Sequence, residues 1–391
     1  MTTNFQINGI DTDDLLVRKE YFTEGGLWVW GYNVNLGVLG TNNNTSYSSP
    51  VQTVSGGTNW KSLSVNGLGG GATGAIKSDG TLWVWGGNQY GSLGTNDRTY
   101  YSSPVQTVAG GTNWKQASIN YYTSGAIKTD GTLWLWGVNT TGELGDNTLT
   151  PRSSPVQTVA GGTNWKFVIT CSEMTAALKT DGTLWLWGAN SSGGLGDNTA
   201  VDKSSPVQTV ASGTSWKQVS ICPNATGFVG AIKTDGTLWM WGYNPLGQLG
   251  TNDRTSRSSP VQTIAGGTNW KQVSCGALST AAIKTDGTLW VWGYNSSGQL
   301  GTNDVSSYSS PVQTVASGTN WKSVSTGGGY STAAIKTDGT LWVWGSAGGS
   351  GYLGTNDNTD RSSPVQTVAG GTNWKQVYSW QGMAAIRTDY W

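Results

Sequence analysis

Thr285-Asp286-Gly287-Thr288-Leu289-Trp290-Val291-Trp292-Gly293, or a close variant of it, occurs seven times along this chain of 391 residues. The Trp pairs of the phrase stand at Trp28/Trp30, Trp83/Trp85, Trp134/Trp136, Trp185/Trp187, Trp239/Trp241, Trp290/Trp292 and Trp342/Trp344, a step of 51 to 55 residues. A period of this size marks a solenoid, a propeller or an array. Within one unit, Asn269–Cys275 alternates and reads as strand A, Thr280–Thr285 as strand B, Leu289–Gly293 as strand C and Pro311–Val315 as strand D. Asp286-Gly287 predicts a two-residue hairpin of the primed type, because Gly accepts positive φ. Pro311 at the head of strand D predicts an edge strand, where a missing N–H costs least.

Four antiparallel strands per unit, seven units and no helical periodicity predict an all-β fold, a seven-bladed β-propeller. The repeats begin in mid-unit, with strand C at Leu27–Gly31, and end with strands A and B at Trp374–Ser379 and Met383–Thr388. The last blade is therefore expected to be closed by N- and C-terminal strands together, which removes two open sheet edges. This divides the chain into an N-terminal arm, 1–24, and a propeller, 25–391.

Composition excludes several functional classes. Lys plus Arg and Asp plus Glu are 22 each, so the net charge is zero. Most basic residues recur at two fixed repeat positions, which reads as a dispersed distribution with no field for nucleic acid or an anionic membrane. No run approaches the roughly 18 apolar residues of a membrane span, so no membrane insertion is expected. The N-terminus lacks the basic, apolar and cleavage regions of a classical secretory signal. Cys171, Cys222 and Cys275 imply no disulfide framework and are expected as buried thiols near one another. Histidine is absent, and the available Lys and Asp are mostly repeat-invariant. No nucleophile–base pair stands out, and neither an enzyme nor a cofactor is expected. The loops Gly91–Asp97, Gly247–Asp253 and Gly298–Asp304 offer oxygens for calcium. They carry too few carboxylates for it, and Asx-turn hydrogen bonding is the expected role, with no metal.

Ala281–Asp304, AAIKTDGTLWVWGYNSSGQLGTND, resembles the repeat of the regulator of chromosome condensation family. Shared features are an alanine-rich strand, the Asp-Gly turn, an aromatic-x-Trp-Gly strand, the Asn-x-x-Gly-Gln-Leu-Gly loop and a later Pro-x-x-Val. The resemblance covers essentially everything after Gly25 and implies the seven-bladed propeller. That propeller serves exchange factors, photoreceptors, enzyme inhibitors and surface proteins alike, so the resemblance implies fold more than function. This chain departs from the pattern in lacking the His that commonly precedes the alanine-rich strand. Its regular spacing leaves no long wedge between blades of the kind an exchange factor needs. Its Trp residues are not grouped with Arg as a photoreceptor requires, and their sevenfold recurrence points to packing between blades.

Comparing the seven copies locates where function is expected. The Thr-Asp-Gly-Thr turns and the D–A linkers are nearly constant. Variation gathers in A–B loops (Asn120–Thr123, Pro223–Val229, Thr326–Ser331) and C–D loops (Arg98–Tyr101, Leu149–Arg152, Val201–Lys203), all expected on one face. The candidate ligand-binding residues there are Tyr47, Tyr100, Tyr101, Tyr121, Tyr122, Arg152, Lys203, Phe228, Arg257, Tyr308, Tyr330, Tyr352 and Arg361. Tyr with Ser, Gly and Asn suits adaptable recognition of protein or glycan; neutral drift in exposed loops is the bland alternative. The arm is foreign to the repeats and should emerge on the opposite face. Phe5, Ile7, Ile10, Leu15, Leu16, Val17, Tyr21 and Phe22 are its candidate anchoring residues. Its segment Ile7–Leu15, INGIDTDDL, resembles N-terminal stretches of tailed-bacteriophage structural proteins. The resulting expectation is a fibre, tail or decoration protein of a virion assembled in the host cytoplasm. The arm would hold virion structural proteins, and the loop face would bind a host-surface protein or glycan. The alternative is an extracellular or cell-surface bacterial propeller that binds protein or glycan.

Overall fold

The computed structural model describes residues 25–388 apart from 34–35, 67–70, 212, 224–226, 329 and 380–381. In the unit that contains Gly287, strands A to D are Trp270–Cys275, Ser279–Lys284, Leu289–Gly293 and Tyr308–Gln313. Each pairs antiparallel with the next. Two local expectations need correction.

The first is the hairpin. The Gly287 N–H donates to the Lys284 carbonyl at 2.9 Å, and the Lys284 N–H to the Thr288 carbonyl at 3.0 Å. The loop therefore has three residues: a turn closed by Gly287 at φ +80°, with Asp286 at ordinary negative φ. Asp286 is present as an acceptor, taking the Thr288 N–H at 2.9 Å and its hydroxyl at 2.7 Å. A Cβ on Gly287 would lie 2.1 Å from the Thr319 carbonyl of the following linker. The second is strand D, which starts at Tyr308, so that Pro311 is its fourth residue rather than its first. Tyr308 faces Gly293 and Val312 faces Val291, with a bulge between them. Pro311 falls in that bulge on an edge strand, where no ladder N–H is needed.

Seven such four-stranded sheets make the fold. Blades I to VI start strand A at Trp60, Trp114, Trp165, Trp216, Trp270 and Trp321. Blade VII takes A and B from Trp374–Ser379 and Gly382–Arg387, and C and D from Gly26–Gly31 and Tyr47–Gln52. Gly26–Gly31 and Gly382–Arg387 are paired along their whole length. The ring is closed as the mid-unit ends predict.

Polar contacts bind each blade to the next at two radii. Innermost, the Gln116 side chain accepts the Val168 N–H at 3.0 Å and donates to its carbonyl at 2.9 Å. Gln218 holds Val273 and Gln272 holds Val324 in the same way, and Gln376 accepts the Leu63 N–H across the closing seam. Strand A is thus the inner strand of every blade. Blade III has Phe167 at the Gln position and Ile169 where the other blades carry residues such as Ser118 and Ser220, and both pack on the Trp216–Val219–Ile221 cluster of blade IV. At the outer rim one Asn per blade adopts positive φ, which Asn tolerates better than most residues. Asn252 donates its N–H to the Ser309 carbonyl of the next blade at 2.9 Å, and its side chain accepts the Ser310 hydroxyl at 2.9 Å. The backbone contact recurs around the ring, ending with Asn356 on Ser48.

The repeat tryptophans fall into three sets whose N–H partners recur from blade to blade, apart from Trp28 and Trp30 of blade VII. In blade V, Trp270 donates to the Gly266 carbonyl at 2.9 Å, Trp290 to the Thr288 hydroxyl at 3.0 Å and Trp292 to the Gln248 carbonyl of blade IV at 2.8 Å. Trp270 meets Trp290 and Trp292 edge-on, with centroids 6.4 and 6.3 Å away. The Lys284 ammonium lies 4.8 and 4.6 Å from the Trp270 and Trp290 ring centres. These indoles are scaffold.

Candidate functional site

The A–B and C–D loops share one face. In blade II the Val138 N–H, opening the C–D loop, donates to the Tyr122 carbonyl of the A–B loop at 2.9 Å. The B–C turns and D–A linkers share the other face, where the Trp114 N–H of blade II donates to the Gly80 carbonyl of blade I at 3.0 Å. Gly25 is also on this turn face, its N–H 3.3 Å from the Trp60 carbonyl. The candidate anchoring residues of the arm, Phe5 to Phe22, lie outside the described residues.

The structure sorts the candidate loop residues into groups. Tyr47, Tyr101, Arg152, Lys203, Arg257, Tyr308 and Arg361 all occupy one repeat position, the first residue of strand D. Each leans back on the C–D loop that precedes it. Tyr101 donates to Asp97 at 2.8 Å, Tyr308 to Asp304 at 2.7 Å, Arg257 to Asp253 at 2.7 Å and Arg361 to Asp357 at 2.6 Å. Arg152 and Lys203 stand 3.7 Å from Asp146 and Asp197, and Tyr47 accepts from Asn43. Burial works to raise the Asp97 pKa, but hydrogen bonds from Thr95, Tyr101 and Thr99 hold it below the ordinary range. The side chains therefore have a local partner in every blade, irrespective of any ligand. Phe228 is fully buried in the core shared by blades IV and V, so it is not a surface contact. The same strand position holds Ala72, Thr123, Met174, Ser279, Ser331 and Gly382 in the other blades. Tyr352 is half-buried, and burial raises its pKa.

What remains, Tyr100, Tyr121, Tyr122 and Tyr330, lies at blade boundaries. Asn120 turns the A–B loop of blade II by accepting the Tyr122 N–H at 3.0 Å, an Asx turn that sets both tyrosines at its tip. Tyr90, from the C–D loop of blade I, stacks on Tyr122 with centroids 5.2 Å apart and meets Tyr121 edge-on at 5.5 Å. Gln89 accepts the hydroxyls of Tyr121 at 3.1 Å and Tyr100 at 3.3 Å. Burial raises the Tyr121 and Tyr122 pKa values, so both hydroxyls stay protonated donors at neutral pH. Tyr100 remains 40% exposed at the edge of the group. A second pair of the same kind joins blades V and VI, Tyr294 meeting Tyr330 with centroids 5.7 Å apart. Tyr330 is held at φ +60°, a conformation non-glycine residues adopt at a cost. Gln89, Tyr90 and Tyr294 are additions to the expected set. The comparison of copies could have found them, since Asn-Gln-Tyr-Gly stands where blade V reads Asn-Ser-Ser-Gly.

Glu143 is a further departure between copies. It is fully buried under the loop face, where blades IV and V carry Gln248 and Gln299. Its carboxylate accepts the Thr141 N–H at 2.9 Å, yet burial pushes its pKa above the ordinary value. A carboxyl raised in the folded state favours folding most when protonated. That contribution is complete below the ordinary Glu pKa of about 4.3 and declines as pH rises towards the folded value. Against Glu143→Gln, the native chain should therefore lose relative stability between pH 4 and 7. Urea midpoints at both pH values check this, and parallel profiles would refute it.

None of the three cysteines forms a disulfide. All are buried, burial raises the Cys171 and Cys275 thiols, and Cys222 is an electrostatic neighbour of both. Among the described residues no group of three or more His, Cys, Asp or Glu converges. The Asn and Asp side chains of the Gly-rich loops are engaged within the loops: Asn295 donates to Thr302 and Asp304, and Asp304 accepts from Thr302 and Ser306. No helix among the described residues is long and apolar enough to cross a membrane.

With this geometry in view, the profile of the RCC1-like domain matches residues 115–388, and that of the regulator of chromosome condensation (RCC1) repeat matches 79–127. The ultraviolet-B receptor UVR8 of Arabidopsis thaliana is 29% identical over 302 residues, 75% of this chain and 67% of the receptor. The mitochondrial RCC1 domain-containing protein RUG3 of the same plant is 28% identical, covering 69% of this chain and 62% of that protein. The probable E3 ubiquitin-protein ligase HERC4 of Homo sapiens is 31% identical over 202 residues, only 18% of its length. The chain thus spans about two thirds or less of the curated relatives it matches. Among solved structures, yeast RCC1 (Prp20) bound to Kap60 superimposes with a TM-score of 0.80 at 17% identity, covering 100% of this chain and 95% of that one. Human WBSCR16 gives 0.77 at 19% identity, covering 93% and 100%. At these identities the structural likeness concerns the fold.

Proposed function

The chain belongs to the RCC1-like domain family, and from that premise we propose that it is a non-catalytic, protein-binding propeller. Its partner is recognised on the loop face, around the blade I–II boundary. The observation that carries this reading is the group formed by Gln89, Tyr90, Tyr100, Tyr121 and Tyr122, contributed by variable loops of two blades. Aromatic rings packed against one another in advance lose little freedom on binding. A protein surface suits the group better than a sugar does. Tyr121 is only 9% exposed, with both neighbouring tyrosines against it, so the group offers ring edges and hydroxyls rather than an open face for stacking.

A photoreactive residue in place of Tyr100 should cross-link the partner and identify it. Replacing Asn120–Thr123 by the A–B loop of blade V should then weaken binding of that partner by at least about tenfold, the loss of one aromatic hot spot. Tyr122→Phe should retain most of it. Unchanged binding by the loop exchange, or binding to glycans alone, would sink the proposal.

The resemblance of Ile7–Leu15 to tailed-phage structural segments supports carriage of this propeller on a virion, with residues 1–24 as the attachment. Gly25 leads into the ring on the turn face, which would leave the loop face directed outwards. Mass spectrometry of purified virions decides this part separately. Absence of the chain there refutes it without touching the protein-binding reading.

A further inference from the structure

The two repeat-invariant sets of basic residues have different surroundings. The set at the end of strand B, such as Lys284, lies between two indoles and next to the turn carboxylate two residues on. Those carboxylates are held below their ordinary range by hydrogen bonds from the Thr two residues later, with the strand-B Lys adding to the effect. This set and the turn Asp residues therefore answer one another.

The other set is the second residue of strand A in every blade. Closure of the ring gathers it. Strand A is innermost, Gln clamps fix it against the next A strand at four of the seven seams, and the lysines hold the same strand position in every blade, so they fall at one level around the axis. That level is the turn-face end, beside the D–A linkers. Lys115, Lys166, Lys217, Lys271 and Lys375 have no acidic partner among the described residues. Lys115 is exposed and the other four are half-exposed. The charge of Lys115 is felt at Lys166, where burial and that neighbour together lower the pKa. The turn carboxylates are each taken up by their own Thr and strand-B Lys.

Like charges gathered in a ring attract a compact multivalent anion more strongly than separate monovalent ones. Lys binds phosphate as a point charge and tolerates varied approach. We propose that the turn-face end of the ring axis is a binding site for a small polyphosphorylated anion, held by the strand-A lysines. It lies on the face opposite the protein-binding loops and stands or falls independently of them.

Calorimetric titration of the full chain with tripolyphosphate and with inositol hexakisphosphate tests this, against orthophosphate at matched ionic strength. The expected result is one saturable site per ring for at least one polyphosphate, weakening steeply with added salt. Whichever binds more tightly distinguishes a linear from a cyclic source. Lys166→Gln with Lys217→Gln should weaken it at least tenfold, and so should Lys115→Gln with Lys271→Gln should the first pair fold poorly. Lys203→Gln with Arg257→Gln, on the loop face, should leave it unchanged. No saturable binding, several equivalents per chain, or equal loss from the loop-face pair would overturn the proposal.

Discussion

Trp292→Ala is expected to reduce the unfolding free energy by about 3–5 kcal/mol, the range for removing a large aromatic side chain from a core. Trp292 is fully buried, and its indole covers Gly250 so closely that a Cβ there would stand 2.9 Å from its Nε1. Truncation would also remove one of the two donors to the Gln248 carbonyl, leaving it the Thr280 hydroxyl at 2.8 Å. Trp290, two residues earlier on the same strand, is partly exposed, and its N–H partner is the Thr288 hydroxyl within its own turn. Trp290→Ala should cost less than half as much. Urea unfolding followed by far-ultraviolet circular dichroism separates the two, since fluorescence would change with the deletion itself. Equal losses would show that the recurring pair acts as one unit, contrary to the different partners of its members.

The contrast bears on what a repetitive sequence makes legible. The ring, its seven blades and its closure follow from the period and the mid-unit ends, because those depend on strand count and connectivity. The turn at Thr285–Gly287 and the start of strand D were misread, and for a common reason. Asp-Gly reads as a two-residue primed hairpin, whereas Thr285 joins the loop and Asp286 serves as an acceptor for Thr288. Pro311 was treated as a boundary when a bulge accommodates it. Both depend on hydrogen bonds beyond the residue pair concerned.

Site residues were harder for another reason. Comparing copies separates constant from variable positions, but it cannot distinguish variation that meets solvent from variation that meets a neighbour. Tyr101 and Arg257 differ in type yet do the same work on Asp97 and Asp253. Phe228 differs because its core differs. The strand-A lysines present the converse case. Identical residues in a closed ring converge wherever they face the axis, which the linear order of the residues does not display. In a linear chain the same lysines would be dispersed, as they were taken to be.

Deletion of residues 374–391 is expected to abolish cooperative folding altogether. It removes strands A and B of blade VII and leaves Gly26–Gly31 without its inner partner along the whole ladder. Trp30 loses Trp374, 6.3 Å away, together with Met383 and Ala385 of the same core. Leu63 of blade I loses the Gln376 acceptor. At roughly 1.5–3 kcal/mol for each large buried side chain, loss of Trp374, Val377, Met383 and Ile386 alone is comparable with a typical total stability of about 5–15 kcal/mol. The truncated chain should bind a hydrophobic dye and melt without a sharp transition; an unchanged midpoint would refute the closure argument. A circular permutant separates contacts from connectivity. Gly26 faces Arg387 in the ladder, so a three-residue turn like Thr285–Gly287 can join the ends, with new termini in the linker after Thr53. Every blade then comes from one continuous segment and no side chain of the paired strands is lost. This permutant should fold cooperatively but unfold roughly tenfold faster, because nothing covalent crosses its last seam and opening there precedes the loss of any blade.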